Sequence, residues 1–437
     1  MLYYDHTEKM LYRKVRIIMK KKVLIPIIAV AVIAAGALAY TFKKPGKIDG
    51  FENSVTTVGG IEIPEGTRIV ALGEAAHGNK EFQELKLEVF KTLVEKTNVR
   101  ALILEGDFGG CAIANKYIQG GEGTAEEVTE GLGYNIYRTD EMCALVQWMH
   151  DYNMTAPEDQ KVRLYGMDIQ KDMHCVKLLK DMYAVVDEAK CKDYSDRMDA
   201  LLGTEEDAFS SSDYDNIINL MDEISADIQA NRDAYIEKVG LTDVEICEMA
   251  PLSVKYGLEH SEKQNYSTKF REDKMKEFID WTLEVEEREH NSELMLSSHN
   301  GHMEQVPSNA NTYLGKLLNE EYQDAYFAIG TDFYITNDNV PTNNGRAVKK
   351  ICSDDKLAYQ VKNMEGNEYY IDFSKIDSNS EIGKAINNPM RMGSVGEQYN
   401  FIVKMLKSGH SVNAVPTDLY DAMIVFYEVN PITIWDK

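Results

Sequence analysis

The 437-residue sequence contains few cysteines, and they follow no regular spacing. The six are scattered through the chain and form no C-x-x-C pair. This excludes a scaffold built on disulfides, and it also excludes a zinc ribbon. We therefore expect them to be small, buried hydrophobic residues.

Basic residues are also scarce, since 47 Lys and Arg stand against 72 Asp and Glu, giving a formal net charge of -25. An acidic surface repels phosphates, so nucleic acid is excluded as an expected partner. A content of 44% hydrophobic and 27% charged residues is typical of a globular protein.

Several signatures of catalysis are absent. The sequence has no G-x-S-x-G element, which argues against a serine α/β-hydrolase. It also has no H-E-x-x-H, no P-loop and no G-x-G-x-x-G. These absences argue against a zincin protease, a P-loop NTPase and a Rossmann dinucleotide-binding protein.

The basic residues that do occur are concentrated at the N-terminus. Residues 1–50 carry a charge of +7, which leaves -32 for the rest. A basic segment, 1–22, precedes an uncharged apolar run, 23–40, that is long enough to span a bilayer. The same pattern fits a secretory signal peptide, and a buried core helix is the structural alternative. The charge bias predicts a cytoplasmic N-terminus and an extracytoplasmic remainder, either anchored or released by cleavage. Met1 and Met19 are both candidate starts.

After a polar linker, 41–60, the chain alternates between two kinds of segment, which predicts one α/β domain over 61–437. Six apolar runs predict strands at 68–74, 100–106, 162–168, 293–300, 325–333 and 422–429. They are continuous rather than alternating, as in strands buried on both faces. Between the first two runs, apolar residues recur at helical spacing (Phe82, Leu85, Val89, Phe90, Leu93, Val94). We therefore predict a central, mostly parallel sheet flanked by helices.

Residues 175–290 differ from this pattern. They are rich in charge and in helix formers, and two stretches within them have amphipathic helix periodicity. We predict a large helical insertion within the α/β domain, lying over one edge of its site.

Ionisable residues end several predicted strands. Glu74, Glu105, Asp168 and His299 all lie at such ends, and His77 and His302 follow shortly after. Taken singly, each has a structural explanation as a helix cap or a surface charge. In a parallel sheet, however, the carboxyl ends of the strands meet at one edge, where ligands bind. The pattern therefore predicts that acids and imidazoles converge on one site.

Seven stretches of the sequence together resemble the erythromycin esterase family. They are LGEAAHGNKEF, LILEGDF, YGMDIQ, REDKMKEFIDW, SSHNGHM, TYLGKLLNEEYQDAYFAIGTDF and YDAMIVFYEV, in the order of the family and over nearly all of residues 60–430. The resemblance implies an α/β domain with helical additions. It also implies a hydrolase of a small-molecule ester, with the lactone of a macrolide as the family's known substrate, and it implies no cofactor.

The family's acid-and-imidazole cluster falls on five residues that we assign as catalytic: Glu74, His77, Glu105, His299 and His302. We assign Lys86, Asp168 and Arg271 to substrate binding. Lys86 stands where the family often has an arginine, which removes a bidentate fork. Ala76 replaces a familiar threonine, and Glu272 replaces the aspartate that follows the arginine. These departures concern the substrate more than the hydrolytic machinery.

The simplest mechanism for this cluster is direct attack by water. His77 would deprotonate the water, with Glu74 or Glu105 orienting the imidazole. His299 or His302, with Lys86, would stabilise the oxyanion or protonate the leaving alcohol. Two alternatives stay open. The same His and Glu side chains suit a divalent metal, and a cell-envelope binding protein could keep the fold without the activity.

Overall fold

A mostly parallel sheet forms the centre of the described structure. The computed structural model describes residues 45–170, 173–202, 213–262, 268–289, 291–308, 313–396, 399 and 406–436. All of them except residues 45 and 46 belong to one compact unit, Lys47–Lys437. The predicted basic segment 1–22 and apolar run 23–40 lie outside this range. Among the described helices, none is both long enough and apolar enough to cross a bilayer.

Eight strands form the central sheet: β1 (Ile69–Glu74), β2 (Val99–Asp107), β3 (Arg163–Asp168), β4 (Glu293–His299), β5 (Tyr326–Thr342), β6 (Gly345–Cys352), β7 (Glu368–Asp372) and β10 (Ala422–Val429). Their order is β3-β2-β4-β1-β5-β10-β7, with β6 paired to β5. The first six in the order pair in parallel, while β7 and β6 are antiparallel to their neighbours. A separate hairpin joins β8 (Met390–Gly393) to β9 (Ser411–Ala414).

The six predicted strands are confirmed, and so is the mostly parallel sheet. Every residue of β1 and of β2 is buried, which explains their continuous apolar runs. Alternate residues of β1 point into the two hydrophobic cores, Ile69 and Ala71 into one and Val70 and Leu72 into the other. The fifth predicted strand is much longer than its apolar run, because β5 continues to Thr342.

Helices cover both faces of the sheet. In chain order they are α1 (Lys80–Lys96), α2 (Phe108–Ile118), α3 (Ala125–Glu130), α4 (Asp140–Asn153), α5 (Met173–Val186), α6 (Glu188–Leu202), α7 (Tyr214–Val239), α8 (Leu241–Glu262), α9 (Thr268–Arg288), α10 (Asn300–Met303), α11 (Leu314–Tyr322), α12 (Lys356–Gln360), α13 (Glu381–Ile386) and α14 (Pro416–Leu419). The predicted helix between the first two strands is α1, and all six of its predicted apolar residues are buried.

The helices α5 to α9 all lie between β3 and β4, in the region where the sequence predicts a helical insertion. They pack largely on one another, with α8 against α7 and α5. Helix α9 also contacts β3 and β4, which brings its N-terminal part to the carboxyl ends of the strands. Within the predicted linker, the short 3-10 helices Phe51–Asn53 and Val58–Gly60 bury Phe51 and Val58.

Candidate active site

The turn after β1 begins the site. Glu74 is the last residue of β1, and its register partner on β4 is His299. Gly73 lets the two strand ends approach, because a Cβ there would lie 2.2 Å from Asn300 Oδ1. A Cβ on Gly78 would lie 2.3 Å from the carbonyl oxygen of Asn339. The glycines on both sides of the turn are therefore required by close packing, and the turn presents Glu74 and His77 at the sheet edge.

Glu74 joins an imidazole to a buried cation. Its Oε1 lies 2.5 Å from His77 Nδ1, and its Oε2 accepts from Lys86 Nζ. Lys86 comes from the second turn of α1, and its side chain is only 1% exposed. Burial alone would raise the pKa of Glu74, but the ammonium of Lys86 and the contact with His77 outweigh it and hold this pKa at about 2. Glu74 is therefore a carboxylate at neutral pH.

Glu105 contacts four polar groups of the site. Its Oε2 accepts from the hydroxyl of Ser298 at 2.5 Å and from the backbone N–H of His299 at 3.0 Å, so it is fixed to the end of β4. Its Oε1 lies 2.7 Å from Arg271 Nη2 and 3.3 Å from His302 Nε2. Burial would raise its pKa, but His302 and Arg271 hold the pKa well below the ordinary value.

Arg271 brings a cation from α9 into the sheet edge. Its Nε and Nη2 donate to the two carboxylate oxygens of Asp168, at 3.0 and 2.7 Å, which is a bidentate pair. Tyr134 also donates to Asp168 through its hydroxyl. Asp168, at the end of β3, is therefore fully engaged, and Arg271 links the acids of β2 and β3.

The two imidazoles after β4 differ in charge. His299 is neutral, because burial and the neighbouring His77 and His302 lower its pKa to about 3. Its Nδ1 accepts from the N–H of Gly301 at 3.2 Å, so its proton lies on Nε2. His302 is an imidazolium. Burial would lower its pKa, but the carboxylates of Glu105 and Glu272 outweigh this and raise it to about 10.

The cluster is contiguous. The rings of His77 and His299 have centroids 4.9 Å apart, and His302 touches Glu105 and Arg271. The structure thus brings together the eight residues assigned from the sequence: Glu74, His77, Lys86, Glu105, Asp168, Arg271, His299 and His302. Lys86 was assigned to substrate binding from the sequence, but in the structure it contacts Glu74, the carboxylate that also faces His77. In the described ranges, no group of three or more His, Cys, Asp or Glu residues is arranged to hold a metal ion.

Three partners of this cluster had no site role assigned from the sequence. Tyr134 comes from the loop before α4 and contacts Asp168, while Ser298 precedes His299 and contacts Glu105. Glu272 places Oε1 2.6 Å from His302 Nδ1. Ser298 could have been found as a polar residue at the end of an apolar strand. Tyr134 has no such signal, because only the folded loop brings it to β3.

Comparison with known proteins identifies the family to which this sequence is similar. The family model described as erythromycin esterase matches residues 94–429, a span that begins after Glu74 and His77. An Escherichia coli protein, erythromycin esterase type II, is 22% identical over 298 residues, which cover 61% of this chain and 69% of that protein.

Solved structures show the same fold. A Bacillus cereus protein aligns with a TM-score of 0.69 at 20% identity, over 90% of this chain and 96% of its own. A histidine-to-asparagine variant of an erythromycin esterase, in its open conformation, aligns with a TM-score of 0.60 at 17% identity. This alignment covers 85% of the present chain and 93% of the variant.

Proposed function

Because the chain belongs to the erythromycin esterase family, we propose that it hydrolyses a small-molecule ester or lactone with water activated by His77. The observation that carries this proposal is the dyad of Glu74 and His77 beside a neutral His299 and a cationic His302. This arrangement supports a role for one imidazole in accepting a proton and for the other two in stabilising developing negative charge.

His77 is the proposed base. Its Nδ1 faces the carboxylate of Glu74, so Nε2 is the nitrogen that takes the proton of the attacking water. Glu74 fixes this tautomer and stabilises the imidazolium that forms, as the acid of a catalytic triad does. Lys86 donates to Glu74 and keeps its carboxylate ionised.

His299 and His302 are the proposed stabilisers of the oxyanion. The protonated Nε2 of His299 is buried and has no hydrogen-bond partner within the described part of the chain, so it can donate to a substrate oxygen. His302 adds a positive charge nearby. When the tetrahedral intermediate collapses, His77 returns its proton to the leaving alkoxide, which gives a carboxylic acid and an alcohol.

A macrolide lactone is the first substrate to test, given the family and the name of the Escherichia coli relative. The purified full chain is incubated with several macrolides and with simple esters, and mass spectrometry detects the gain of one water. We expect turnover by the wild type, and a loss of about 10²–10⁴-fold in His77→Asn.

A matched control is His150→Asn, because His150 stacks on Tyr117 outside the cluster. This variant should keep wild-type turnover. Circular dichroism verifies that both variants fold. Full turnover by a folded His77→Asn would contradict the assignment of the base.

We propose in addition that the chain is exported, on the basis of the apolar run 23–40 and the basic residues before it. The substrate would then be met outside the cytoplasm. The apolar run acts either as an anchor or as a signal that is removed.

A further inference from the structure

Two consecutive residues of α9 reach different parts of the cluster. Arg271 binds the acids of β2 and β3, while Glu272 lies against His302, after β4. Glu272 is completely buried, although no strand of the sheet carries it. A carboxylate in such a position is costly unless each of its oxygens is satisfied.

The two oxygens of Glu272 have different partners. Oε1 lies 2.6 Å from His302 Nδ1, and the two atoms form an ion pair without hydrogen-bond geometry. Oε2 accepts from the backbone N–H of Leu314 at 2.7 Å and of Tyr313 at 3.3 Å, at the start of the nine-residue helix α11. The N-terminus of a helix favours a negative charge. These contacts therefore fix the position of the Glu272 side chain.

The His302 ring is enclosed by charged groups from every neighbouring element. Its Nε2 faces Glu105 of β2 at 3.3 Å and Arg271 Nη1 of α9 at 3.5 Å, and its Nδ1 faces Glu272. The charge on this ring disfavours protonation of His299 of β4, and it favours the ionised form of Glu304, just beyond α10. Each ring nitrogen faces a carboxylate, and this arrangement favours a proton on both nitrogens, which disfavours the ring as a base.

We propose that Glu272 is a positioning residue that keeps His302 a fixed cation. Through Glu272, α9 maintains the positive charge of the oxyanion site without touching the substrate. The catalytic part of this inference depends on the proposed hydrolase function. The charge state of His302 does not depend on it and can be measured directly.

The direct experiment follows the His302 imidazole by NMR in full-length protein labelled with ¹⁵N-histidine. Its signals are identified by their absence from His302→Gln. In the wild type we expect the imidazolium to persist through pH 8. In Glu272→Gln the titration midpoint should fall by at least one pH unit, because a negative charge 2.6 Å from Nδ1 is lost.

Two further variants make the result specific. Asp273→Asn removes a carboxylate from the next position of α9, where it accepts from the Tyr313 hydroxyl and faces solvent, so it should leave the titration unchanged. Glu272→Asp keeps the charge, so the His302 titration midpoint should stay close to the wild-type value. This comparison remains available if Glu272→Gln fails to fold. The proposal would be overturned if the titration midpoint of His302 were unshifted in Glu272→Gln. It would also be overturned if Glu272→Asp, which keeps the charge, had a midpoint as low as that expected without the charge.

The second arm measures ester hydrolysis against pH. In Glu272→Gln we expect kcat to fall at alkaline pH, where His302 loses its proton, while KM changes little. Asp273→Asn should keep the wild-type profile. If no ester is hydrolysed by the wild type, the hydrolase proposal fails, while the NMR titration still decides the role of Glu272. A Glu272→Gln enzyme with the wild-type pH profile would contradict the catalytic part.

Discussion

At the scale of residues, each buried carboxylate of the site contacts at least one cation. Lys86 serves Glu74, Arg271 serves Glu105 and Asp168, and His302 lies between Glu105 and Glu272. Removing one partner of a buried pair leaves an uncompensated charge, which costs far more than the pair itself contributes. The charge state of the site is therefore fixed before any substrate binds.

Lys86→Met tests this dependence at its most buried point. Without the ammonium, Glu74 must remain charged without its cation or take up a proton. We expect a loss of about 3–5 kcal/mol in the free energy of unfolding at pH 7. Urea denaturation followed by circular dichroism measures it.

The matched control is Lys80→Met on the same helix, where an exposed lysine pairs with Glu84 at 3.1 Å. An exposed i,i+4 pair is worth about 0.3–0.5 kcal/mol, so this variant should unfold nearly as the wild type does. Equal losses in the two variants would contradict a special role for Lys86.

The sequence was sufficient to place Glu74, Glu105, Asp168 and His299 at one sheet edge, because strand ends are visible as the limits of apolar runs. It could not show that Lys86 points at Glu74. That contact depends on how α1 docks on the sheet, and a lysine on a helix is ordinarily a surface residue. It could not assign Glu272 either, since the approach of α9 is a tertiary event.

At the scale of elements, burial explains which strands the sequence revealed. β1, β2 and β4 are enclosed on both faces and consist of continuous apolar runs. β6 was not predicted from the sequence, because it carries Arg346, Lys349 and Lys350 and is largely exposed. β8 and β9 have only four residues each and form a hairpin of their own, so their sequences carry too little pattern.

Gly73→Ala tests the close approach of β1 to α10. The new methyl group would lie 2.2 Å from Asn300 Oδ1, which accepts from the N–H of Thr331 at 3.1 Å. Asn300 must move and break its link to β5. We expect a loss of about 1–3 kcal/mol in the free energy of unfolding, measured by urea denaturation.

Gly59→Ala serves as the control, since its Cβ would meet nothing closer than 3.7 Å. It should change the free energy of unfolding by no more than about 0.5 kcal/mol. If Gly73→Ala were equally tolerated, the turn before His77 would not need a glycine at that end.

At the scale of the whole molecule, the residues of the candidate site come largely from two parts of the fold. The sheet and its turns supply Glu74, His77, Glu105 and His299, whereas α9, from the region between β3 and β4, supplies Arg271 and Glu272. The fold class followed from the sequence because strands and helices alternate visibly. The sequence also predicted that the helical region lies over one edge of the site, and the resemblance assigned Arg271 to it. It could not show that Glu272 reaches the site as well, because no local pattern specifies which face of a helical region packs on a sheet edge.

Export is the prediction that belongs to this scale. In bacteria that produce the full chain, protease added to spheroplasts should digest it, while deletion of residues 23–40 should leave it inside and protected. The intact mass of the exported protein separates an anchor from a cleaved signal. A full-length chain protected in intact spheroplasts would contradict export.

The position of β1 also affects how the chain is made. Among the described strands, this early strand pairs with β4 and β5, which follow more than two hundred residues later. At about 5–20 residues per second, a ribosome needs roughly 10–45 s to reach them. Until then β1 is an unpaired apolar strand, and the long loop must close before the sheet can form. The order of strands thus postpones folding until most of the polypeptide exists, which favours passage through a translocation channel before the native state can form.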